Sequence, residues 1–205
     1  VHHLSDERPE PIDILALAAE AGNPDRPLIF ASTSKVTYPG AGVASIGASE
    51  TNIAWFQRNS AAQSIGPDKL NQLRHVQLLG DADGLAAHME KHRAILAPKF
   101  AAVDETFRAR LAPWGAGAWN APLGGYFVSL DVLDGCAKRA VQLAKEAGIA
   151  VTPAGATFPY GEDPRDANIR IAPTFPPLAE LNEALDGLCT AILLAETEAL
   201  LAERN

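Results

Sequence analysis

Residues 32–42 read Ser-Thr-Ser-Lys-Val-Thr-Tyr-Pro-Gly-Ala-Gly and follow an apolar run at 27–32. A short apolar run without polar alternation is typical of a strand buried on both faces in a parallel sheet. Ligands of open α/β sheets bind beyond the carboxyl ends of such strands, so Lys35 is predicted to reach a ligand. The hydroxyls of Ser32 and Ser34 can bind a phosphate, and the glycines that follow let the backbone approach it closely.

Helices and strands are predicted to alternate along the chain, which indicates an α/β fold. We predict helices at 11–21, 50–63, 67–79, 81–111, 136–147 and 178–202, and strands at 27–32, 43–47, 126–132, 150–153 and 168–172. The helix at 81–111 is the longest and contains Pro98. We interpret it as the connector between two domains, the second of which is a small α+β domain.

Composition and charge exclude several classes of protein. The net charge of -8 would repel phosphate backbones, so we expect no nucleic-acid binding. The chain contains no stretch of about 18 apolar residues that could span a bilayer, so no membrane association is expected. Cys136 and Cys189 have no CxxC or histidine neighbours and are expected to be free thiols in the reducing cytoplasm. The chain opens at Val1, and we expect it to be part of a longer polypeptide.

We predict no metal site. His88 and His92 lie four residues apart on the long helix, but the zinc-protease pattern needs glutamate where Met89 stands, and no third ligand follows. The terminal pair His2-His3 and the helical His75 receive no functional role from their sequence context.

Four segments occur in the order and at roughly the spacing found in one enzyme family. They are the S-x-S-K segment ending at Lys35, GGYFV at 124–128, VTPAG at 151–155 and NIRI at 168–171. Together they resemble the C-terminal half of class I aminotransferases of fold type I, which use pyridoxal 5'-phosphate. Within this family, the sequence is most similar to an atypical bacterial aspartate aminotransferase subgroup. That subgroup also resembles the aminotransferase domain of MocR-type regulators.

The resemblance implies a role for several residues. Lys35 matches the lysine that forms the Schiff base with the cofactor and shuttles a proton, and Ser32 matches a phosphate-binding hydroxyl. Arg170 matches the arginine that holds the substrate's α-carboxylate through a bidentate pair. Residues 1–80 would then be the remainder of the large cofactor-binding domain, and residues 81–205 the connector helix with the small C-terminal domain.

Two departures from the family pattern affect the expected site. Typical members have a phosphate-clamping arginine eight residues after the lysine, where this chain has Val43, so Ser34 or backbone amides would have to substitute. The aspartate and the tyrosine that face the cofactor ring precede the lysine by some thirty or more residues in the family, and no matching motif occurs in this chain. We therefore expect residues 1–205 alone to be nearly inactive.

The implied activity is transfer of an amino group from an acidic amino acid, with aspartate as the expected donor, to 2-oxoglutarate by a homodimer. Two alternatives remain open. One is an effector-sensing, aminotransferase-like domain of a transcription regulator, and the other is a lyase or decarboxylase of the same fold.

A lysine that forms an imine must be neutral, and burial of Lys35 at a sheet end is expected to favour that state.

Overall fold

A computed structural model describes Leu4 and residues 12–204 of the chain. The described residues divide into two compact units, which we call the first unit (residues 12–90) and the second unit (Leu4 with residues 91–204). The division falls within one long helix, later in the chain than the boundary after residue 80 that we predicted. The assignment of the two parts to a large and a small domain stays a prediction.

The first unit contains three helices, two strands and the beginning of a fourth helix. These elements are α1 (Ile14–Glu20), β1 (Ile29–Ser32), β2 (Ala44–Gly47), α2 (Glu50–Ser60), α3 (Lys69–Leu79) and the start of α4 (Ala82–Arg110). Side-chain oxygens of Asp13, Ser49 and Asp68 accept backbone N–H groups at the first turns of α1, α2 and α3. Such caps satisfy N–H groups that have no partner inside the helix.

The predicted buried strand of a parallel sheet at 27–32 is wrong. β1 pairs antiparallel with β2, in a register that places Ile29 opposite Gly47 and Ser32 opposite Ala44. All four residues of β1 are exposed, Phe30 to 69%. An apolar run indicates that a strand can be buried, but burial needs a covering layer, and the exposure of all four residues of β1 shows that the described part of this unit does not bury this strand.

The second unit contains a three-stranded sheet and three helices. Its elements are the larger part of α4, then β3 (Ala118–Trp119), β4 (Val128–Asp131), α5 (Ala137–Glu146), β5 (Asn168–Ile171) and α6 (Leu178–Ala202), with 3-10 turns at Ala112–Trp114 and Pro159–Gly161. The sheet has the order β3-β4-β5 and is antiparallel throughout.

The core of the second unit lies between one face of this sheet and the helices. Val128 and Leu130 from β4 and Ile169 from β5 are buried there together with Phe107 of α4 and Ile192 of α6. Side chains alternate between the two faces of a strand, so Ser129, Asp131, Asn168 and Arg170 occupy the opposite face. The core therefore fixes the direction in which the polar residues of β4 and β5 point.

Most of the other predicted elements form, with shifted ends, and one further expectation failed. No strand forms at 150–153, where Pro153 lacks an N–H and its carbonyl closes a turn with Ala156. The short β3 was not predicted. Residue 11, the predicted start of the first helix, and the pair His2-His3 lie outside the described residues. None of the helices in the described part of the chain has the length and apolarity needed to cross a bilayer.

Candidate functional site

Lys35 lies in the loop that joins β1 to β2, which we call the lysine loop (residues 33–43). Its side chain is exposed, so the expected burial at a sheet end is not found. Ser32 accepts the backbone N–H of Ser34 on its hydroxyl at 3.1 Å, and the two hydroxyl oxygens lie 2.7 Å apart. One hydroxyl hydrogen is used in that contact, which leaves the other for an acceptor such as a phosphate oxygen.

Gly42 lies close to the polar atoms beside the lysine. A Cβ at this position would meet Ser34 Oγ at 3.1 Å, Ser34 N at 3.2 Å and Thr33 Oγ1 at 3.3 Å. These separations are tight for a methyl group, so the missing side chain keeps a polar cradle open. Val43, at the position of the family's arginine, exchanges backbone contacts with Thr33, donating to Oγ1 at 2.8 Å and accepting from N at 2.9 Å.

Two histidines that sequence reasoning left without a role contact the lysine loop. His75 Nε2 lies 2.9 Å from Thr33 Oγ1 and 2.7 Å from Thr37 Oγ1, and His88 Nε2 donates to the carbonyl of Val36 at 2.7 Å. The partners are 38 to 52 residues apart in the chain, so no local spacing signals these contacts. The one sequence signal is that a histidine lies amid apolar residues on a predicted helix.

Arg170 belongs to the second unit, on the sheet face opposite the core. Its guanidinium carbon lies 4.4 Å from the ring centroid of Phe127, a cation–π arrangement. The Nε atom is buried and has no hydrogen-bond partner among the described residues. A buried guanidinium N–H without a partner is costly, which makes Arg170 a candidate for binding an external anion.

The carboxylate nearest in the strand register is engaged elsewhere. Asp131 accepts hydrogen bonds from Asn168 Nδ2 at 2.7 Å and from the guanidinium of Arg165 at 3.0 Å. Asn168 also donates to Ser129 Oγ at 2.9 Å. The ion pair with Arg165 therefore uses the charge of Asp131. Arg170 forms no ion pair with any residue that the structure describes.

Asp163 holds the loop that leads into β5. Its carboxylate accepts the backbone N–H groups of Arg165 at 3.0 Å and of Ala167 and Asn168 at 2.8 Å each. These hydrogen bonds, that of Asn168 foremost, favour the charged form and hold the pKa of Asp163 below its ordinary value of 3.8. Sequence reasoning missed this residue, which fixes the start of the strand that carries Arg170.

The lowered pKa of Asp163 predicts an acid-sensitive contribution to stability. A carboxylate whose pKa is lower in the folded state stabilises the fold above the pKa of the unfolded chain and loses that effect as pH falls through the folded value. We expect Asp163→Asn to lower the melting temperature by a few degrees at pH 7 and by progressively less below about pH 4. Scanning calorimetry of wild type and variant between pH 7 and pH 3 measures the difference.

The exposed carboxylate of Asp134 supplies the control for this prediction, because it makes only a 3.4 Å contact with Arg165. We expect Asp134→Asn to leave the melting temperature nearly unchanged at every pH. A difference between wild type and Asp163→Asn that stays constant from pH 7 to pH 3 would show that the carboxylate charge is not responsible.

Comparison with known proteins shows the class of protein. The architecture is that of the C-terminal part of solved aminotransferases. The sequence matches the family model described as aspartate amino-transferase over residues 1–204. The chain belongs to this family.

Related sequences extend the match. A Mycolicibacterium smegmatis protein whose name places it among the aminotransferases is 59% identical over 204 residues, covering 100% of this chain and 48% of that protein. An aspartate aminotransferase of Corynebacterium glutamicum is 50% identical over 198 residues, covering 97% of this chain and 46% of its own length. The chain thus spans about half the length of the relatives it matches.

Solved structures share the fold. The crystal structure of an aspartate transaminase from Corynebacterium glutamicum superposes with a TM-score of 0.92 at 50% identity, covering 97% of this chain and 47% of that one. LysN, the α-aminoadipate aminotransferase of Thermus thermophilus complexed with N-(5'-phosphopyridoxyl)-L-leucine, gives a TM-score of 0.77 at 22% identity, covering 96% of this chain and 48% of that one. The chain has the α/β fold of the C-terminal part of these enzymes.

Proposed function

We propose that the complete polypeptide containing this chain is a pyridoxal-phosphate-dependent aminotransferase that moves an amino group from aspartate to 2-oxoglutarate. Membership of the family and 50% identity to an aspartate aminotransferase support the reaction class and the acidic donor. The observation that carries the proposal is the lysine loop, where Lys35 follows paired hydroxyls and a polar cradle lies beside Gly42. When bound, the cofactor supplies the electron sink that amino-group transfer requires.

The residues of the lysine loop fit the cofactor. Lys35 would hold the cofactor through its Nζ amine, and this amine would take up the proton that leaves the substrate's α-carbon. The hydroxyls of Ser32 and Ser34, 2.7 Å apart, bind the phosphate with the hydrogen that their mutual contact leaves over. The space beside Gly42 would let the phosphate approach the backbone. Backbone amides would then substitute for the family's arginine, at whose position this chain has Val43.

Arg170 binds the substrate's α-carboxylate in this proposal. Its buried Nε atom has no partner among the described residues, and an external carboxylate would accept the hydrogen bond that this atom can donate. The guanidinium carbon lies 4.4 Å from the ring centroid of Phe127, and this contact orients the guanidinium plane. The contacts of Asp131 with Arg165 and Asn168 keep that carboxylate from competing with the substrate. The guanidinium can then pair with both carboxylate oxygens at once.

Family membership supports a proposal for assembly and location. We infer a homodimer, with small-molecule amino and 2-oxo acids as the other partners, acting in the cytoplasm. The free cysteines Cys136 and Cys189 agree with a reducing compartment. Burial raises the pKa of the Cys189 thiol to about 11, so this thiol is protonated at neutral pH and is not a nucleophile.

The proposal is tested on the complete polypeptide incubated with pyridoxal 5'-phosphate. An absorbance scan, borohydride reduction and peptide mapping should place the reduced label on Lys35. A label on any other lysine would overturn the assignment. Product analysis with aspartate and 2-oxoglutarate then separates the reaction classes: oxaloacetate and glutamate support amino-group transfer. Alanine or carbon dioxide from aspartate would instead indicate a decarboxylase, and labelling of Lys35 without turnover would indicate an effector-sensing domain.

A further inference from the structure

Both sides of Lys35 are held by imidazole rings from outside the lysine loop. The hydroxyls of Thr33 and Thr37, two residues before and two after the lysine, contact His75 Nε2 at 2.9 and 2.7 Å. The carbonyl of Val36, the residue after the lysine, accepts a hydrogen bond from His88 Nε2 at 2.7 Å. The rings come from α3 and α4, so two helices constrain the short segment that carries the amine.

The proton positions on His75 follow from its partners. Its Nδ1 lies 2.7 Å from the carbonyl oxygen of Asn71, which can only accept, so Nδ1 carries the hydrogen. In the neutral ring Nε2 is then an acceptor with a single lone pair, which the hydroxyls of Thr33 and Thr37 share as donors. Thr37 has one alternative acceptor, the carbonyl of Thr33 at 3.3 Å, but the 2.7 Å contact with the imidazole is the shorter.

His75 is also the best-buried group of the first unit. It is 7% exposed, and no other residue between 12 and 90 in the described chain is buried. The ring of Tyr38 packs edge-on against it, with centroids 6.0 Å apart at 86°. Because the lysine loop has no buried apolar side chain, its conformation depends on polar contacts, and an unsatisfied acceptor on a buried imidazole would be costly.

We propose that His75 is a positioning residue for Lys35, acting through the hydroxyls of Thr33 and Thr37 to fix the backbone that aims the amine at the cofactor. His88 supports the same segment through the Val36 carbonyl. The inference rests on the proposed role of Lys35 in binding the cofactor. It adds a pair of loop hydroxyls and a histidine acceptor to the residues on which formation of the lysine–cofactor bond depends.

The decisive variant is Thr37→Val, which keeps the shape of the side chain and removes its donor. In the complete polypeptide we expect borohydride-trapped pyridoxal 5'-phosphate to accumulate at Lys35 about tenfold more slowly, the effect of losing one net hydrogen bond. Without cofactor, amide hydrogen exchange of the lysine loop should be about tenfold faster. Thr37→Ser, which restores the hydroxyl, should return both rates to within about twofold of wild type.

Thr197 of α6 offers a control outside the lysine loop, because its hydroxyl donates to the carbonyl of Leu193 at 2.6 Å. Thr197→Val should leave trapping and loop exchange unchanged. His75→Asn, which keeps a donor toward Asn71 but cannot reach the hydroxyls, should reproduce the Thr37→Val result. All rates are compared at a temperature where each variant is fully folded by circular dichroism.

The outcomes separate this inference from the proposed function. Wild-type trapping and exchange rates in Thr37→Val, or a slow phenotype that serine fails to rescue, would overturn the positioning role even with Lys35 labelled. Label on another lysine in wild type would overturn the proposed function, while loop exchange would still show whether the His75 contacts hold the segment. Faster exchange with unchanged trapping at Lys35 would mean that the contacts are only structural.

Discussion

Replacing Lys35 by alanine should lower kcat for transamination by the complete polypeptide about 10²- to 10⁴-fold, the range typical of a lost acid–base group. The variant loses both the amine that bonds to the cofactor and the base that takes the α-proton. Because Lys35 is exposed and lies in a loop, its removal should leave the melting temperature nearly unchanged. Steady-state kinetics with aspartate and 2-oxoglutarate, combined with thermal unfolding, measures both effects.

Lys69 provides the control for this experiment, since it is an exposed lysine of the same unit at the start of α3. Lys69→Ala should keep wild-type kcat and wild-type trapping of the cofactor. The assignment of Lys35 fails if its alanine variant retains kcat within about threefold of wild type, because a group that moves the α-proton contributes at least about a hundredfold.

Replacing Arg170 by glutamine should lower kcat/KM for aspartate about 10²- to 10⁴-fold. The expectation rests on two charge-assisted hydrogen bonds of about 1.5–3 kcal/mol each between the guanidinium and the substrate carboxylate. The melting temperature should change little, because the Nε atom has no partner among the described residues to lose. Arg170→Lys should recover only part of kcat/KM, since an ammonium cannot form the bidentate pair.

The control for Arg170 is Arg108→Gln on α4. Arg108 pairs with Asp104 at 2.7 Å, but its side chain is 66% exposed, so the pair contributes little. We expect this variant to keep wild-type kcat/KM. A large fall in melting temperature for Arg170→Gln, with kcat/KM preserved in the folded fraction, would assign Arg170 a structural role instead.

The long helices could be predicted from sequence because their periodicity is local. The prediction for 178–202 matches α6 (Leu178–Ala202), and that for 81–111 differs from α4 by one residue at each end. The kind of sheet that a strand joins could not be predicted, because strand pairing depends on partners elsewhere in the chain. The run at 27–32 therefore forms a strand in the wrong kind of sheet, and the run at 150–153 forms none.

The candidate functional residues also divide into those that the sequence indicated and one that it did not. Ordered motifs make Lys35 and Arg170 candidates, because the residue types that bind a cofactor aldehyde and a carboxylate recur in a fixed sequence context. His75 was passed over, although it contacts the loop around the lysine, because its partners Thr33 and Thr37 are 42 and 38 residues away. Spacing along one helix cannot report a contact that closes across such a distance.

Local periodicity indicated the α/β class and the helices, and the family resemblance supplied Lys35 and Arg170 as candidates. Tertiary structure alone decided that β1 is exposed and antiparallel, that Asp131 is satisfied by Arg165 and Asn168, and that Arg170 keeps a buried nitrogen without a partner among the described residues. The physical reason is that burial and hydrogen-bond satisfaction depend on groups brought together from distant parts of the chain. The sequence near each residue carries no record of those groups.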